Sequence, residues 1–336
     1  MIESATVPHV RWWIGSGFGA LLVLMVVSLM LGAYVISPAD VVDWATGWMS
    51  NASNPAVDRV LWSIRLPRVL GAAILGGALA IVGAVLQGTY RTPLADAHLL
   101  GYSSAAGVGA ALGFAVTRVG AFPIAPVLLA AAGGALYGAL ASVFRSRTGR
   151  DRFILAGVAF GFALLAWTGL FVLIVDSPRV PTLLFFVFGT LAGTTWKVLA
   201  AATIVLVPSA LVLWRYGPGI DLLVLGDREA THVGLDATRV VPTVVAVVGV
   251  AVGASVALGG VVGFVGLIVP FLLRPFVGST LRVLIPATAV GGAIVVVVAD
   301  TLARTVAAPS EIPLGLITAA VGGPFLAWLL VRRRAT

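Results

Sequence analysis

The chain has 336 residues, of which 60% are hydrophobic and 10% charged, against roughly 25% charged in an ordinary soluble domain. Its net charge is +8, but the basic residues sit in short stretches between apolar runs, which excludes a nucleic-acid-binding face and points to lipid as the solvent. The absence of cysteine excludes disulfides and thiolate metal sites, and His9, His98 and His232 are scattered over separate polar segments, so no metal cluster is expected.

A hydrocarbon layer of about 30 Å takes about 20 helical residues to cross. Apolar runs punctuated by Pro, Gly and charge predict about ten such spans, near 12–36, 67–88, 97–117, 123–144, 153–175, 196–214, 239–257, 262–277, 283–306 and 313–331. The first exceeds the roughly 7–15 residues of a signal-peptide core and is expected to be retained as a span. Segment 38–64 is amphipathic and carries Trp44, Trp48 and Trp62, as expected of a stretch lying at the external membrane surface. The eighth span is short and contains Gly263, Gly266 and Pro270, the pattern of a broken or tilted helix packed inside protein. Glycines within spans, such as Gly71, Gly76, Gly77 and Gly83, predict close helix packing. The longest polar stretch, Arg215 to Arg239, is too short for a second folded domain, so residues 1–336 read as a single all-α polytopic membrane domain.

With the N-terminus cytoplasmic, 14 of the 21 basic residues fall on inner segments, including Arg11, the cluster Arg145, Arg147, Arg150 and Arg152, and Arg332 to Arg334. Excess Lys and Arg marks the cytoplasmic side, so both termini are expected inside.

Active transport needs an energy source, and the chain cannot hydrolyse ATP by a P-loop: its only lysine, Lys197, follows Trp196 and not a glycine-rich turn. An ion-coupled secondary transporter would place ionisable groups near the midplane. The spans hold few acids; Asp300 is the main one, with Arg304 one turn on as an expected i,i+4 ion pair. A membrane-embedded enzyme would need a cluster of His, Asp or Cys within the spans, and none is evident. Segment 221–236 is more informative: Gly226, Asp227, Arg228, Glu229 and Ala230 suit a short helix stopped by Gly234, a compact charged unit able to dock on a cytoplasmic partner.

From about Leu61 onward the chain resembles the FecCD-type permeases of type II ABC importers, the family of iron-siderophore, haem and cobalamin importers. The resemblance rests on motifs in order: Arg65-Leu-Pro-Arg68, Gly83-Ala-Val-Leu-Gln-Gly88, Pro93-Leu-Ala-Asp96, Leu99-Leu-Gly101, Ser103-Ser104, Gly226-Asp-Arg-Glu-Ala230 with Gly234, Gly263-Phe-Val-Gly-Leu-Ile-Val-Pro270, Ala299-Asp-Thr-Leu-Ala-Arg304 and Glu311-Ile-Pro-Leu-Gly315. Thr92 and Phe271 depart from the Asn and His usual in the family.

The resemblance implies a homodimeric permease in the plasma (inner) membrane of a prokaryote, with two ATPase subunits beneath it that hold ATP and Mg, an external substrate-binding (lipo)protein above it and lipid around it. It implies no cofactor on this chain. It implies that Gly226, Asp227, Arg228, Glu229, Ala230 and Gly234 belong to the coupling helix in the ATPase groove. It further implies that Arg65, Arg68 and Arg304 grip acidic residues of the binding protein, and that Thr92, Pro93 and Leu94 belong to an inner gate along with the Arg145 to Arg152 loop. Pro93 suits a gate loop because it lacks an N–H and biases Thr92 away from the helical region. The expected cargo is an iron chelate, ferric siderophore or haem; cobalamin is the alternative within the class, and an ion-coupled transporter the alternative outside it.

Overall fold

The computed structural model describes residues 7–32, 36–47, 55–116, 124–148, 150–174 and 187–333. Among them every regular element is helical. In chain order they are α1 (Val7–Met30), α2 (Pro38–Gly47), α3 (Pro55–Val60), α4 (Leu66–Tyr90), α5 (Tyr102–Val116), α6 (Ile124–Thr148), α7 (Arg150–Ile174), α8 (Trp196–Leu222), α9 (Asp227–His232), α10 (Ala237–Gly259), α11 (Val265–Val277), α12 (Leu281–Thr305) and α13 (Leu314–Arg333). Each expected span coincides with a helix, and 7 of these helices are long and apolar enough to cross a bilayer.

The boundaries differ where tertiary packing overrides local sequence. Within segment 38–64, α2 is a separate helix, whereas α3 runs through a π-helical turn, Leu61–Arg65, into α4. That turn holds one residue more than an α-turn and directs both Leu61 and Arg65 inward. The sixth span continues past Trp214 to Leu222 despite Gly217 and Pro218, because Ile220 is completely buried and Gly217 packs on Leu281. The connection across Arg145 to Arg152 is almost all helix, since α6 runs to Thr148 and α7 starts at Arg150; the side chains of these arginines lie outside the described residues.

Helix α4 is the axis of the bundle. Within the continuous helix Pro55–Tyr90 the apolar window is 78% buried, against 17% for α1, so α4 meets protein on nearly every side and α1 lies at the rim. Gly76 of α4 faces Gly292 of α12, and Gly134 of α6 faces Gly249 of α10, so closely that a Cβ on any of the four would collide with the opposing carbonyl. Backbone approach of this kind drives helix association in lipid, where hydrophobic burial contributes little.

The eighth span is short, as expected, but it is not broken at Pro270: α11 is continuous from Val265 to Val277. Helix α11 begins inside the protein: Gly266 packs on Gly83 of α4, seven residues and so roughly 10 Å above the end of that helix at Tyr90. Phe264 starts α11 in a left-handed conformation (φ 68°) with its ring against Gly322 of α13, a backbone strain held by that contact.

Candidate functional site

Two ends of the bundle concentrate the charge. At one, the π-helical turn, α4 and α12 bring Arg65, Arg68 and Arg304 together, as the sequence led us to expect, but as buried groups with 5–6% exposure and not as guanidiniums reaching outward. Arg68 is the hub. Its Nε donates to both oxygens of Asp300 at 3.0 and 3.1 Å, and its two terminal nitrogens donate to the two oxygens of Glu311 at 2.8 and 3.1 Å. The fork geometry of guanidinium matches two carboxylates at once, which an ammonium cannot do. The expected Asp300–Arg304 pair exists at 3.6 Å, yet the closer partner of Asp300 is Arg68 across the helix interface, at 3.0 Å.

Arg304 and Arg65 serve a different purpose. The last carbonyls of any helix lack intrahelical donors. At the end of α1, Arg304 donates to the carbonyls of Leu31 (2.9 Å) and Ser28 and to Ser28 Oγ (2.6 Å), and Arg65 donates to the carbonyls of Leu29 and Met30 (3.0 Å). Gly32 lies against both guanidiniums, leaving room for them. A small core of Leu29, Ile36, Val41, Val57, Leu61 and Val69 packs beside this cap. Two side chains from other helices thus hold the rim helix α1.

At the opposite end lies α9. Gly226 precedes it with φ 121°, Gly234 follows it with φ 96°, both in the region that favours glycine. Ala230 is fully buried and anchors the helix, whereas Glu229 is exposed with its carboxylate folded over Gly226. The side chains of Asp227 and Arg228 lie outside the described ones. Just after α9, the Thr238 hydroxyl, followed by Arg239, holds the Asp236 carboxyl below the usual carboxylate range.

Between the two ends, the loop after α4 turns at Arg91 (φ 51°) and folds back into the protein. Thr92 is buried, and Pro93 and Leu94 are half-buried. Asp96 is buried deeper, against Gly266, where it accepts backbone N–H groups of His98 (2.8 Å), Leu99 and Phe264. Gln87 donates to the carbonyl of Gly266 at 3.1 Å. The start of α11 is therefore held by α4 and by the candidate gate loop together.

Sequence reading gave Glu311, Asp96, Ser28, Gln87 and Asp221 no role of their own. Glu311 and Asp96 were visible as acids within recognisable motifs. The others needed the fold to reveal their partners.

Helices of membrane-spanning length around a buried axis, an interior half-helix and a short charged helix between two long ones form the architecture of an ABC importer permease. A solved structure of an inward-facing metal-chelate type ABC transporter superposes with a TM-score of 0.79 at 28% identity, covering 95% of this chain and 98% of that one. The chain belongs to the FecCD transport family, whose model matches residues 20–332. It is 37% identical to the hemin transport system permease protein HmuU of Yersinia pestis, over 94% of this chain and 95% of that protein. It is 36% identical to the vitamin B12 import system permease protein BtuC of Vibrio cholerae, over 85% of this chain and 87% of that protein. This membership sets aside the ion-coupled and enzymatic alternatives.

Proposed function

We propose that this permease moves an iron chelate, haem or a ferric siderophore, from an external binding protein across a prokaryotic plasma membrane to the cytoplasm. The observation that carries the cargo is the 37% identity with a hemin permease along nearly the whole of both chains. The working unit is a homodimer of this chain on two ATPase subunits, which bind ATP and Mg. In this reading the arginine end is external and faces the binding protein, and the α9 end is cytoplasmic. Helix α9 sits in a groove of the ATPase, and the loop holding Thr92, Pro93 and Leu94 forms the inner gate. The exposed Glu229 and the buried Ala230 support a docking helix, with one face out and one anchored.

Cobalamin is a second reading, favoured by the 36% identity with a vitamin B12 permease. Labelled haem, a labelled ferric siderophore and labelled cobalamin are to be offered to vesicles holding the complete complex with ATP inside or outside. ATP-dependent accumulation of haem or siderophore is expected. Uptake of cobalamin alone would replace the iron reading with the second.

A further inference from the structure

Helix α12 begins without a cap of its own. Thr280 stands at its N-cap position, and its side chain makes no capping hydrogen bond. The N–H of Leu281, the first residue of the helix, is instead taken by a carboxylate 60 residues earlier in the chain: Asp221 Oδ1 at 3.1 Å and Oδ2 at 3.0 Å. A carboxylate there is favoured by the positive end of the helix dipole and makes a charge-assisted bond. Asp221 forms no ion pair among the described residues, so this bond is what its half-buried charge is fixed to. Trp214, two turns back on α8, donates to the carbonyl of Arg282 at 3.1 Å and strengthens the same junction.

Asp221 is also the last residue but one of α8, immediately before the segment that carries α9. The intervening chain is not a loose linker. Leu223 is fully buried, residues Leu223–Leu225 form a 3₁₀ turn, and Ala230 anchors α9 itself. Helix α12 runs 25 residues, about 37 Å in all, with this clasp at its start and Asp300 and Arg304 of the arginine cluster in its last two turns.

We propose that Asp221 is a positioning residue for energy coupling: its clasp on the start of α12 makes a displacement of α9 a displacement of α12. The inference rests on the reading of α9 as the ATPase contact, and it assigns the step by which that contact reaches the rest of the bundle.

The experiment compares four single variants at the clasp, one double variant and Glu229→Arg in the complete reconstituted complex, reading molecules of cargo imported per ATP hydrolysed. The cargo is whichever of labelled haem, ferric siderophore or cobalamin the wild type accumulates. Asp221→Ala removes the acceptor, and Leu281→Pro removes the donor. Proline suits the first helical position, and Thr280 already has the extended backbone (ψ 120°) that a following proline requires. Leu281→Ala sacrifices the same side chain as Leu281→Pro but keeps the N–H, and Asp221→Asn keeps one acceptor oxygen. The ratio should fall roughly tenfold in Asp221→Ala and in Leu281→Pro, no further in their combination, and little in the two controls. A merely structural Asp221 would lower the melting temperature and leave the ratio alone, and an unchanged ratio in Asp221→Ala overturns the proposal. If that variant does not assemble, equal ratios in Leu281→Pro and Leu281→Ala overturn it instead. Normal coupling in Glu229→Arg would overturn the reading of α9, whereas uncoupling in Glu229→Arg with normal coupling in Asp221→Ala would remove Asp221 alone.

Discussion

The two charged ends of this permease are built on opposite principles. At the arginine end, three guanidiniums and two carboxylates are drawn together from the π-helical turn, α4, α12 and the segment before α13, and all but Glu311 are buried. The bonds of Arg68 to both acids and of Arg304 to the end of α1 join residues more than 200 apart in sequence, and those of Arg65 residues 35 and 36 apart. At the α9 end, charge stands on a six-residue helix held by a buried alanine and by local backbone bonds such as Leu235 N–H to the Ala230 carbonyl. Charge at the first end is internal mortar, whereas at the second it is displayed. Substitutions should therefore damage stability at the first end and coupling at the second.

The largest loss of stability is expected from Asp300→Ala. Removing one partner of a buried ion pair leaves an uncompensated charge, which costs about 3–5 kcal/mol. Arg68 and Arg304 would then face each other across the gap with Glu311 as the remaining acid. Thermal melting of the detergent-solubilised chain should show the loss. A melting temperature equal to wild type would mean that the network contributes nothing. Gly76→Val comes next, since its side chain must enter space occupied by the backbone of Gly292. Overpacking of this kind costs about 1–3 kcal/mol, to be read in the same melts. Both changes act on α4 and α12, far from α9, and should leave the fraction of ATPase bound per folded permease unchanged.

Glu311→Gln tests the exposed edge of the same cluster. Its side chain is 36% exposed, so its bond with Arg68 should contribute about 1 kcal/mol or less to stability. Its effect on docking should exceed its effect on folding. If Arg68 grips an acidic residue of the binding protein, Glu311 is the group that residue must displace. The amide should therefore tighten binding-protein affinity for the reconstituted complex at low salt, and the gain should shrink at high salt. Weaker or unchanged affinity would place Arg68 entirely in the internal network. Arg65→Glu and Arg304→Glu are poorer tests of docking, because each would also strip donors from the end of α1.

What the sequence made legible follows the range of the forces involved. Apolar length located the long helices of the bundle, and the shortness of the eighth span with Gly263 and Gly266 marked the interior start of α11, because both signals are local; Pro270 does not interrupt α11. The Asp300–Arg304 pair was legible for the same reason, being one helical turn apart. Arg68 was not assigned to Asp300, nor Asp221 to Leu281, because pairings 232 and 60 residues apart exist only once the helices have packed. The end of α8 was misplaced at Trp214 because Arg215, Gly217 and Pro218 read locally as a loop. Burial of Ile220 and the bond that Asp221 accepts from the Leu281 N–H outweigh that local preference.

The smallest effect on stability, and the sharpest contrast with Asp300, is expected from Glu229→Arg. Glu229 is exposed, and its charge near the start of α9 is favoured by the helix dipole, so reversal should cost about 0.5 kcal/mol. The anchor of the helix, Ala230, and its glycine boundaries, Gly226 and Gly234, are untouched. The permease should therefore fold, melt and insert as wild type does. What changes is the face that α9 presents: an acid becomes a base of greater length, at the point proposed to rest in the ATPase groove. ATP hydrolysis should persist or rise while cargo uptake falls. Paired measurements of both rates in one vesicle preparation check this, with the melting curve as the control for folding. Equal loss of melting temperature in Glu229→Arg and Asp300→Ala would erase the distinction between the two ends. Normal uptake with normal hydrolysis would show that α9 displays charge without using it.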